Sequence, residues 1–321
     1  MRDDLSQARQ AFLLDGNEAL LPIVDAHHHF WAVPQNPHPW LTQLPRIPFR
    51  YGEYEAICRD FLPADYARAR AGHLVLRHVV MEGEWDPADP VGEALWMQDL
   101  ALRSGVPHAF AAQVWLDRDD IGEVLARYRQ APLAGFVRSV RHKPHSTRRD
   151  AHHSSWAEPG SMRCPRWRRG YAQLAASGLT FELQAPWWHM DEAAELARDF
   201  PATRIVVNHA GLPTVRDADT LASWRRAMDR LADCPNVIVK ISGLGVAGQP
   251  WTPQLQAPVV EALLASFGVR RCMFASNYPV DSLVASMDTI WGTFKTLTRH
   301  LDPRDRLALF CNTAVEAYGL Q

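Results

Sequence analysis

The sequence predicts a single (β/α)₈ barrel, the TIM-barrel fold, over a chain of 321 residues. Short β-branched runs alternate with longer amphipathic runs eight times, which is typical of parallel strands joined by helices. The chain length suits one large barrel. Nearly every predicted strand also ends in polar or charged residues, where a barrel places its reactive groups.

The elements follow in order along the chain. The predicted strands span residues 22–27, 73–84, 108–116, 133–141, 179–185, 203–211, 236–243 and 271–277. The predicted helices span 62–72, 89–105, 120–131, 167–178, 191–200, 221–234, 256–268, about 284–300 and 303–319, with Gly105 as a C-terminal cap. This pattern predicts a distorted barrel with a long loop after strand one and an extra C-terminal helix.

The rival fold is a doubly wound open sheet. That fold carries a glycine-rich turn after its first strand, but His27, His28 and His29 stand there instead. Repeats and linkers are lacking, so we predict one domain over 1–321 with residues 1–20 as an N-terminal extension.

Composition narrows the class of function. The net charge of −2 does not indicate a nucleic-acid-binding protein. No apolar run is long enough for a membrane-spanning helix. The five cysteines lack metal-ligand spacing and read as reduced thiols in a cytoplasmic protein. We expect a small-molecule substrate and no nucleic-acid or membrane partner. The sequence is compatible with a homo-oligomer and does not decide the oligomeric state.

The end of the first predicted strand is the most informative segment. Side chains of an extended segment alternate with period two, so Asp25, His27 and His29 are predicted on one face and His28 on the other. Two imidazoles on one face can converge on one divalent ion. A histidine run that merely ends a strand is the alternative, and the barrel position favours the metal site.

Other strand ends offer further candidates. Glu82 and Glu84 share a face, and either could act as general base or pair with an arginine. Arg138 and Arg141 are three residues apart, so one is expected to bind substrate while the other is solvated. For Lys240 we favour an outward position over a place in the barrel wall.

Loop residues add weaker candidates. Trp187 and Trp188 could form an aromatic wall for a ring-shaped substrate or pack beneath a loop. Asp281, four residues after Asn277, could act as a substitute acid, although we favour a role outside the site. Four histidines of the long polar loop are expected to be solvent-exposed, namely His142, His145, His152 and His153.

The ordered segments IVDAHHHFW, EGEWDPADPVGE, VRSVRHKP, NHAGLP, KISGLG and FASNYPVD resemble successive strand ends of the amidohydrolase superfamily. They are similar to its amidohydrolase-related branch, which includes lactonases of sugar acids and of aromatic breakdown products. The resemblance runs from about Ile23 to Tyr318. It implies a distorted TIM barrel, hydrolysis of an ester-like or amide-like bond, and His27, His29 and His209 as metal ligands.

The chain also departs from that pattern. Arginines replace the strand-four lysine of two-metal members, and Gln184 replaces the strand-five histidine. The strand-eight aspartate, which binds metal and activates water, is replaced by Asn277 after Ser276. An amide binds metal weakly and cannot serve as a base near neutral pH. We therefore expect at most one weakly bound divalent metal, with zinc the first candidate, or none.

Together these features predict a lactone hydrolase. His27, His29 and His209 would hold a metal or donate hydrogen bonds to the carbonyl oxygen. Glu82, Glu84, Arg141 and His209 are the predicted catalytic residues, and Arg138, Trp187, Trp188 and Asn277 the predicted substrate-binding residues. The alternatives are a metal-dependent decarboxylase of the same superfamily and a catalytically silent small-molecule-binding barrel.

Overall fold

In the computed structural model, which describes residues 4–320, eight parallel strands form one sheet in sequential order. The strands are β1 (Ile23–His28), β2 (Val75–Met81), β3 (Ala109–Gln113), β4 (Val137–Arg141), β5 (Thr180–Leu183), β6 (Ile205–Val207), β7 (Val237–Ile241) and β8 (Cys272–Phe274). Backbone hydrogen bonds of 2.7 Å, from Asn277 N–H to His27 C=O and from His29 N–H to Tyr278 C=O, join the ends of β8 and β1. The predicted barrel is confirmed.

Thirteen α-helices surround the strands within residues 4–320. They are α1 (Asp4–Asp15), α2 (Pro39–Thr42), α3 (Pro63–Ala69), α4 (Gly92–Ser104), α5 (Ile121–Tyr128), α6 (Pro165–Tyr171), α7 (Gln173–Ser177), α8 (Met190–Asp199), α9 (Ala218–Ala232), α10 (Pro253–Phe267), α11 (Met287–Leu297), α12 (Pro303–Leu307) and α13 (Thr313–Tyr318). A π-helical turn, Ala308–Asn312, joins α12 to α13, so the predicted last helix is divided into three pieces.

Local signals explain where several helices begin and end. The side chain of Asp217 accepts the Thr220 N–H at the start of α9, and Thr252 caps α10 in the same way. Gly105 ends α4 with a left-handed backbone, as predicted. The predicted N-terminal extension contains α1, whose Leu5 and Phe12 are buried, while its residues 1–3 lie outside the described part.

Two apolar clusters organise the packing. The larger one lies between the sheet and the surrounding helices. The smaller one contains inward-facing strand residues such as Val24, Val79 and Ile238, together with Tyr318 of α13. Helix α13 therefore closes the end of the barrel opposite the strand carboxyl ends, and the open end is left for the polar residues.

Two sequence expectations concern the chain as a whole. All five cysteines are free thiols. Within residues 4–320, none of the helices combines the length and the apolar character needed to cross a bilayer.

Candidate active site

A register irregularity in β1 decides which histidines face the barrel mouth. The pairing of β1 with β2 shifts between Asp25 and His28. Asp25 accepts hydrogen bonds from Tyr66 Oη at 2.6 Å and from Ser276, so it does not share a face with His27. The prediction that Asp25 lies beside the two histidines is therefore wrong, because a bulge interrupts strict alternation.

His27, His29 and His209 lie together at the carboxyl ends of β1 and β6. The ring centroids of His27 and His209 are 4.4 Å apart, and those of His27 and His29 are 5.3 Å apart. His28 instead packs on Tyr66, with ring centroids 4.5 Å apart, and faces away from this group. The structure thus brings the three predicted ligands together and places His28 elsewhere.

Hydrogen bonds fix the orientation of these rings. His29 Nδ1 lies 3.1 Å from the Met81 carbonyl oxygen, so Nδ1 carries the proton and Nε2 presents a lone pair. His209 Nδ1 lies 3.0 Å from Ser242 Oγ. Both nitrogens of His27 are buried without a partner among the described residues. A neutral His29 cannot donate from Nε2, so the predicted donation to a carbonyl oxygen does not hold for this residue.

The three imidazoles are neutral at neutral pH. Burial lowers the pKa of His27, His29 and His209 well below the usual value. Nearby cations, Arg141 for all three and Arg50 for His209, lower it further. Neutral imidazole is the form that binds metals, but the same cations oppose a bound metal ion.

Arg141 is the central cation of the site. Its Nε donates to Glu82 Oε1, its Nη2 donates to the Glu82 carbonyl at 2.7 Å, and its Nη1 donates to Gln184 Oε1 at 3.2 Å. Glu82 Oε2 accepts the Glu84 N–H at 2.7 Å. Both oxygens of the Glu82 carboxylate are therefore hydrogen-bonded, and the carboxylate holds Arg141 in place.

Glu84 lies at the rim of the mouth, where it forms an ion pair with Lys143. Burial acts to raise the pKa of the Glu84 carboxyl, but Lys143 and Arg141 outweigh it and hold the pKa below the usual value. A carboxylate stabilised in its charged form is a weaker base. Lys143, which the sequence reasoning did not single out, is therefore part of the rim.

Asp281 lies against Asn277 at the end of β8. Its Oδ1 accepts from Asn277 Nδ2 at 2.7 Å and from Tyr51 Oη at 2.9 Å, and Arg50 Nη2 lies 3.4 Å away. Oδ2 is buried without a partner among the described residues. Burial raises the pKa of Asp281 to about 6 despite these donors. Asp281 is fully buried beside Asn277, so whether it acts in the site stays a prediction.

Arg50 and Tyr51 were missed by the sequence reasoning. Both belong to the long loop after β1 and carry no strand-end signal. Their aromatic-rich surroundings, which include Phe49 stacked on Trp40, are the only local indication that this loop covers the mouth.

Lys240 points into the barrel, so the expectation of an outward lysine is wrong. Its Nζ lies 2.9 Å from Glu182 Oε2, and both side chains are fully buried. Glu182 Oε1 also accepts from Tyr318 Oη at 2.6 Å and from Ser139 Oγ at 3.2 Å. Burial lowers the pKa of Lys240 to about 8. This paired cation contributes to the low pKa of His27 and of His209.

Three predicted substrate-binding residues lie outside the mouth cavity. Arg138 alternates with the inward Ser139 and approaches Gly319 at the C-terminal end. Trp187 packs under Arg149, whose guanidinium carbon is 4.7 Å from the ring centroid. Trp188 Nε1 donates to the Thr147 carbonyl at 2.8 Å. The two tryptophans anchor the loop between β4 and α6 instead of forming a substrate wall.

The loop histidines divide into two groups. His145 and His153 are exposed as expected, but His142 is buried and His152 is partly buried, because both have partners in the fold. His152 Nε2 lies 2.8 Å from Glu192 Oε1. His142 Nδ1 accepts from the Leu116 N–H at 3.1 Å and from Trp167 Nε1 at 3.0 Å.

His152, His189 and Glu192 form a compact group beside the mouth. Within residues 4–320, this is the one set of three or more metal-binding side chains whose ligand atoms all lie within 4.8 Å of one another. However, His189 Nε2 accepts the Thr147 N–H at 3.1 Å, so its Nδ1 carries the proton and donates to Glu192. With that tautomer, the three side chains form a hydrogen-bonded group that holds the loop between β4 and α6.

Backbone strain is concentrated at the mouth. Glu84, His209 and Asn277 have φ values of 60°, 53° and 54°, in the left-handed region that non-glycine residues rarely adopt. Such strain is characteristic of functional sites. Gly243 supports the arrangement, because a Cβ at this position would lie 2.5 Å from His209 Nδ1.

A cavity of about 330 Å³ opens at this end of the barrel. It is lined by His29, Trp31, Trp40, Ile47, Pro48, Phe49, Arg50, Gly83, Glu84, Arg141, Lys143, Gln184, His209, Leu212, Asn277 and Val280. Its three cations are each paired with a carboxylate, so the cavity carries little net charge. We call it the mouth cavity.

Comparison with known proteins assigns the family. The family model described as amidohydrolase matches residues 24–320. The chain belongs to the amidohydrolase family. This membership supports hydrolase chemistry, and the family is typically metal-dependent.

Relatives of this amidohydrolase extend over nearly its whole length. The uncharacterized protein y4mH of Sinorhizobium fredii is 38% identical over 93% of this chain and 98% of its own. An L-fucono-1,5-lactonase of Burkholderia multivorans is 28% identical over 92% of this chain and 96% of its own. A solved amidohydrolase structure from Burkholderia multivorans with bound zinc has a TM-score of 0.75 at 23% identity, covering 93% of this chain and 99% of that chain, and shows the shared fold.

The histidines of this amidohydrolase bring three neutral imidazoles together, but their ligand nitrogens do not all lie within 4.8 Å of one another, so they approach a site for a single divalent ion without completing it. His29 donates its other ring N–H to a carbonyl, which is the usual outer-shell partner of a metal-binding histidine. His27 is buried with both nitrogens unpartnered among the described residues, and His209 has its Nδ1 held by Ser242. The three side chains supply neutral nitrogens and no anionic ligand, which fits weak binding.

Proposed function

We propose that this amidohydrolase hydrolyses a small, uncharged lactone of the sugar-acid type by attack of water. The observation that carries the proposal is the mouth cavity, which is lined by two neutral imidazoles and the Arg141–Gln184 donor pair, with His27 packed against His209 and the buried Asp281 bonded to Asn277. Relatives named as L-fucono-1,5-lactonases, 27–28% identical over 92% of this chain, support the same chemistry.

The charges of the mouth cavity favour an uncharged substrate. Arg141, Arg50 and Lys143 are already paired with Glu82, Asp281 and Glu84. A dicarboxylate substrate would have to compete with these protein carboxylates for the same cations. A lactone with hydroxyl groups needs only hydrogen bonds, which paired side chains still provide.

Arg141 and Gln184 are positioned to stabilise the developing oxyanion. Arg141 spends three of its five N–H groups on Glu82 and Gln184, so two remain for a ligand in the mouth cavity. Gln184 uses its oxygen to accept from Arg141, which leaves its amide N–H groups as donors. Preorganised donors of this kind stabilise the charge that forms on a lactone carbonyl oxygen when water attacks.

Asp281 is the proposed general base. Its pKa of about 6 keeps it ionised at neutral pH and makes it a better proton acceptor than Glu84. Asn277 holds one oxygen of the carboxylate, and the other oxygen is the proposed acceptor of the water proton. Arg50 and Tyr51 cover Asp281, so water reaches it when these loop side chains move.

His27, His29 and His209 are the residues that would hold a divalent ion, and such an ion would polarise the lactone carbonyl. In the protein alone, His29 Nε2 is a hydrogen-bond acceptor and orients a water molecule or a substrate hydroxyl. The role of Arg141 and Gln184 at the carbonyl oxygen is the same with or without the ion.

A substrate panel tests the proposal. Purified protein would be assayed with L-fucono-1,5-lactone, D-glucono-1,5-lactone and 2,6-dihydroxybenzoate, following acid release with a pH indicator and carbon dioxide release separately. Hydrolysis of either lactone well above its spontaneous rate, lost in Arg141→Met, supports the proposal. Carbon dioxide release without lactone turnover would replace it with a decarboxylase, and binding of a lactone without turnover would replace it with a silent binding barrel.

A further inference from the structure

A second cavity of about 320 Å³ adjoins the mouth cavity and has no part in the proposed chemistry. Its lining includes Trp40, Trp85 and Trp115, and we call it the tryptophan cavity. The two cavities share four lining residues, which are Trp40, Glu84, Arg141 and Lys143. A ligand held by Arg141 in the mouth cavity therefore reaches the tryptophan cavity directly.

The walls of this cavity are flat and aromatic. Trp40 and Trp85 are nearly buried, and Trp115 is partly exposed against His142, with ring centroids 5.0 Å apart. Pro39 and Pro87 add rigid apolar surface. A lining that contains three indoles favours a ring-shaped ligand, because a planar or chair-shaped ring can stack on indole with little loss of freedom.

The cavity also has a hydrogen-bond donor in its lining, at His142. His142 receives two N–H groups at Nδ1, so its proton lies on Nε2. Burial lowers the pKa of His142 to about 4, which keeps the ring neutral. A neutral donor beside aromatic walls suits a ring that carries oxygen acceptors.

An exposed ion pair forms part of the boundary between the two cavities. Glu84 and Lys143, which form an ion pair, line both cavities, and their side chains are 48% and 37% exposed. Exposed ion pairs contribute little stability, so a substrate can displace this one at small cost. The strained backbone of Glu84, with φ at 60°, fixes the carboxylate at this boundary.

From this arrangement we infer that the tryptophan cavity is a second substrate subsite, which binds an oxygen-bearing ring attached to the lactone. The inference rests on the proposed function and extends it: the preferred substrate is a two-ring molecule, with its lactone at Arg141 and its second ring between Trp85 and Trp115. The second ring comes from either of two sources, a sugar or an oxygenated aromatic ring, and both share the same stacking and acceptor chemistry.

Matched substrate pairs test the inference kinetically. D-glucono-1,5-lactone would be compared with cellobiono-1,5-lactone, and δ-valerolactone with 5-(4-methoxyphenyl)-δ-valerolactone. We expect the two-ring member of one pair to have a kcat/KM higher by about three- to tenfold, the size of one ring-stacking contact. The pair that shows the difference identifies the source of the ring.

In the variant Trp115→Ala, the ratio of kcat/KM between the two-ring and the one-ring substrate should fall to about one. The substitution removes the partly exposed wall of the cavity and leaves Arg141 unchanged. Trp96→Ala is the matched control, since Trp96 is also a partly buried tryptophan but lines neither cavity. The control should retain the wild-type preference. Equal kcat/KM for both members of both pairs, or a preference unchanged in Trp115→Ala, would overturn the inference.

A binding experiment separates this inference from the proposed function. Methyl β-D-glucopyranoside and 4-methoxyphenol carry no lactone, and their binding would be followed by saturation-transfer NMR on the wild type and Trp115→Ala. Binding of one probe that is lost in the variant supports the subsite even where no lactone is hydrolysed. Absence of binding by both probes, together with normal lactone hydrolysis, would overturn the subsite and leave the proposed function intact.

Discussion

Replacing Asp281 by asparagine tests the proposed general base directly. The change keeps the shape of the side chain and an oxygen that can still accept from Asn277 Nδ2 and Tyr51 Oη. It removes the negative charge and the proton-accepting oxygen. Because a general base contributes about 10²- to 10⁴-fold, we expect kcat to fall by at least about a hundredfold while KM changes little.

The pH dependence provides a second measure of the same residue. A base must be deprotonated to act, and the pKa of Asp281 is raised to about 6 by burial. Activity should therefore be high above pH 7 and be lost as the pH falls, reaching about one tenth of its plateau at pH 5. The acid limb should disappear from the residual activity of Asp281→Asn.

The assay follows lactone hydrolysis with a pH-stat between pH 5 and 7.5, after subtraction of spontaneous hydrolysis. Glu84→Gln is the matched control, because it makes the same chemical change at the rim carboxylate paired with Lys143. We expect it to retain most of its kcat. If Asp281→Asn kept more than half of wild-type kcat while Glu84→Gln lost a hundredfold, the base would be Glu84 and the assignment of Asp281 would be refuted.

Three further outcomes are expected. Purified protein should carry less than one zinc per chain by mass spectrometry and keep most of its lactonase activity after chelation. The variant Asn277→Asp should raise the zinc content. Full zinc occupancy in the wild type, with complete loss of activity on chelation, would contradict this prediction. Glu82→Gln should lower the free energy of unfolding in urea by about 3 kcal/mol, because it leaves the buried Arg141 charge without its partner; an unchanged unfolding midpoint would contradict the pairing. Gly243→Ala should lower kcat/KM severalfold by displacing the His209 ring, and wild-type kinetics would show that the ring position is unimportant.

The barrel could be predicted from the sequence because its signals are local. Alternating strand and helix patterns, capping residues and a glycine at a helix end are all encoded within a few neighbouring positions. The position of Asp25 could not be predicted in the same way, because β1 has a register irregularity and the partners of Asp25, Tyr66 and Ser276, are distant in sequence. A one-residue irregularity in a strand moves every side chain that follows it to the opposite face of the sheet from the one that strict alternation predicts.

Lys240 shows a second limit of sequence reasoning. A lysine within a strand is normally placed outward, because burying an unpaired ammonium is very costly. Here Glu182 of β5 supplies a carboxylate 2.9 Å away, and Tyr318 and Ser139 bind the other oxygen of that carboxylate. The partners are distant in sequence and meet only once the barrel has closed, so no local pattern identifies them.

The two glutamates show why a shared strand face does not assign a role. Period-two alternation predicts a shared face for Glu82 and Glu84, but both follow the end of β2 and Glu84 has a left-handed backbone, so alternation does not reveal which of them pairs with Arg141 and which with Lys143. These pairings decide the chemistry. The buried Glu82 is fully occupied by hydrogen bonds, and Glu84 is held in its charged form at the rim.

The change from an acid to Asn277 at the end of β8 is compensated by the turn that follows. The Asp281 N–H donates to the Asn277 carbonyl at 3.0 Å, so one turn of chain returns the Asp281 carboxylate to the side chain of Asn277. A negative charge is thus kept at the same strand end, behind the amide of Asn277. An acid in that position can still accept a proton, whereas a metal ion loses its anionic ligand. This arrangement is the reason that we propose both Asp281 as the base and weak metal binding at this end of the barrel.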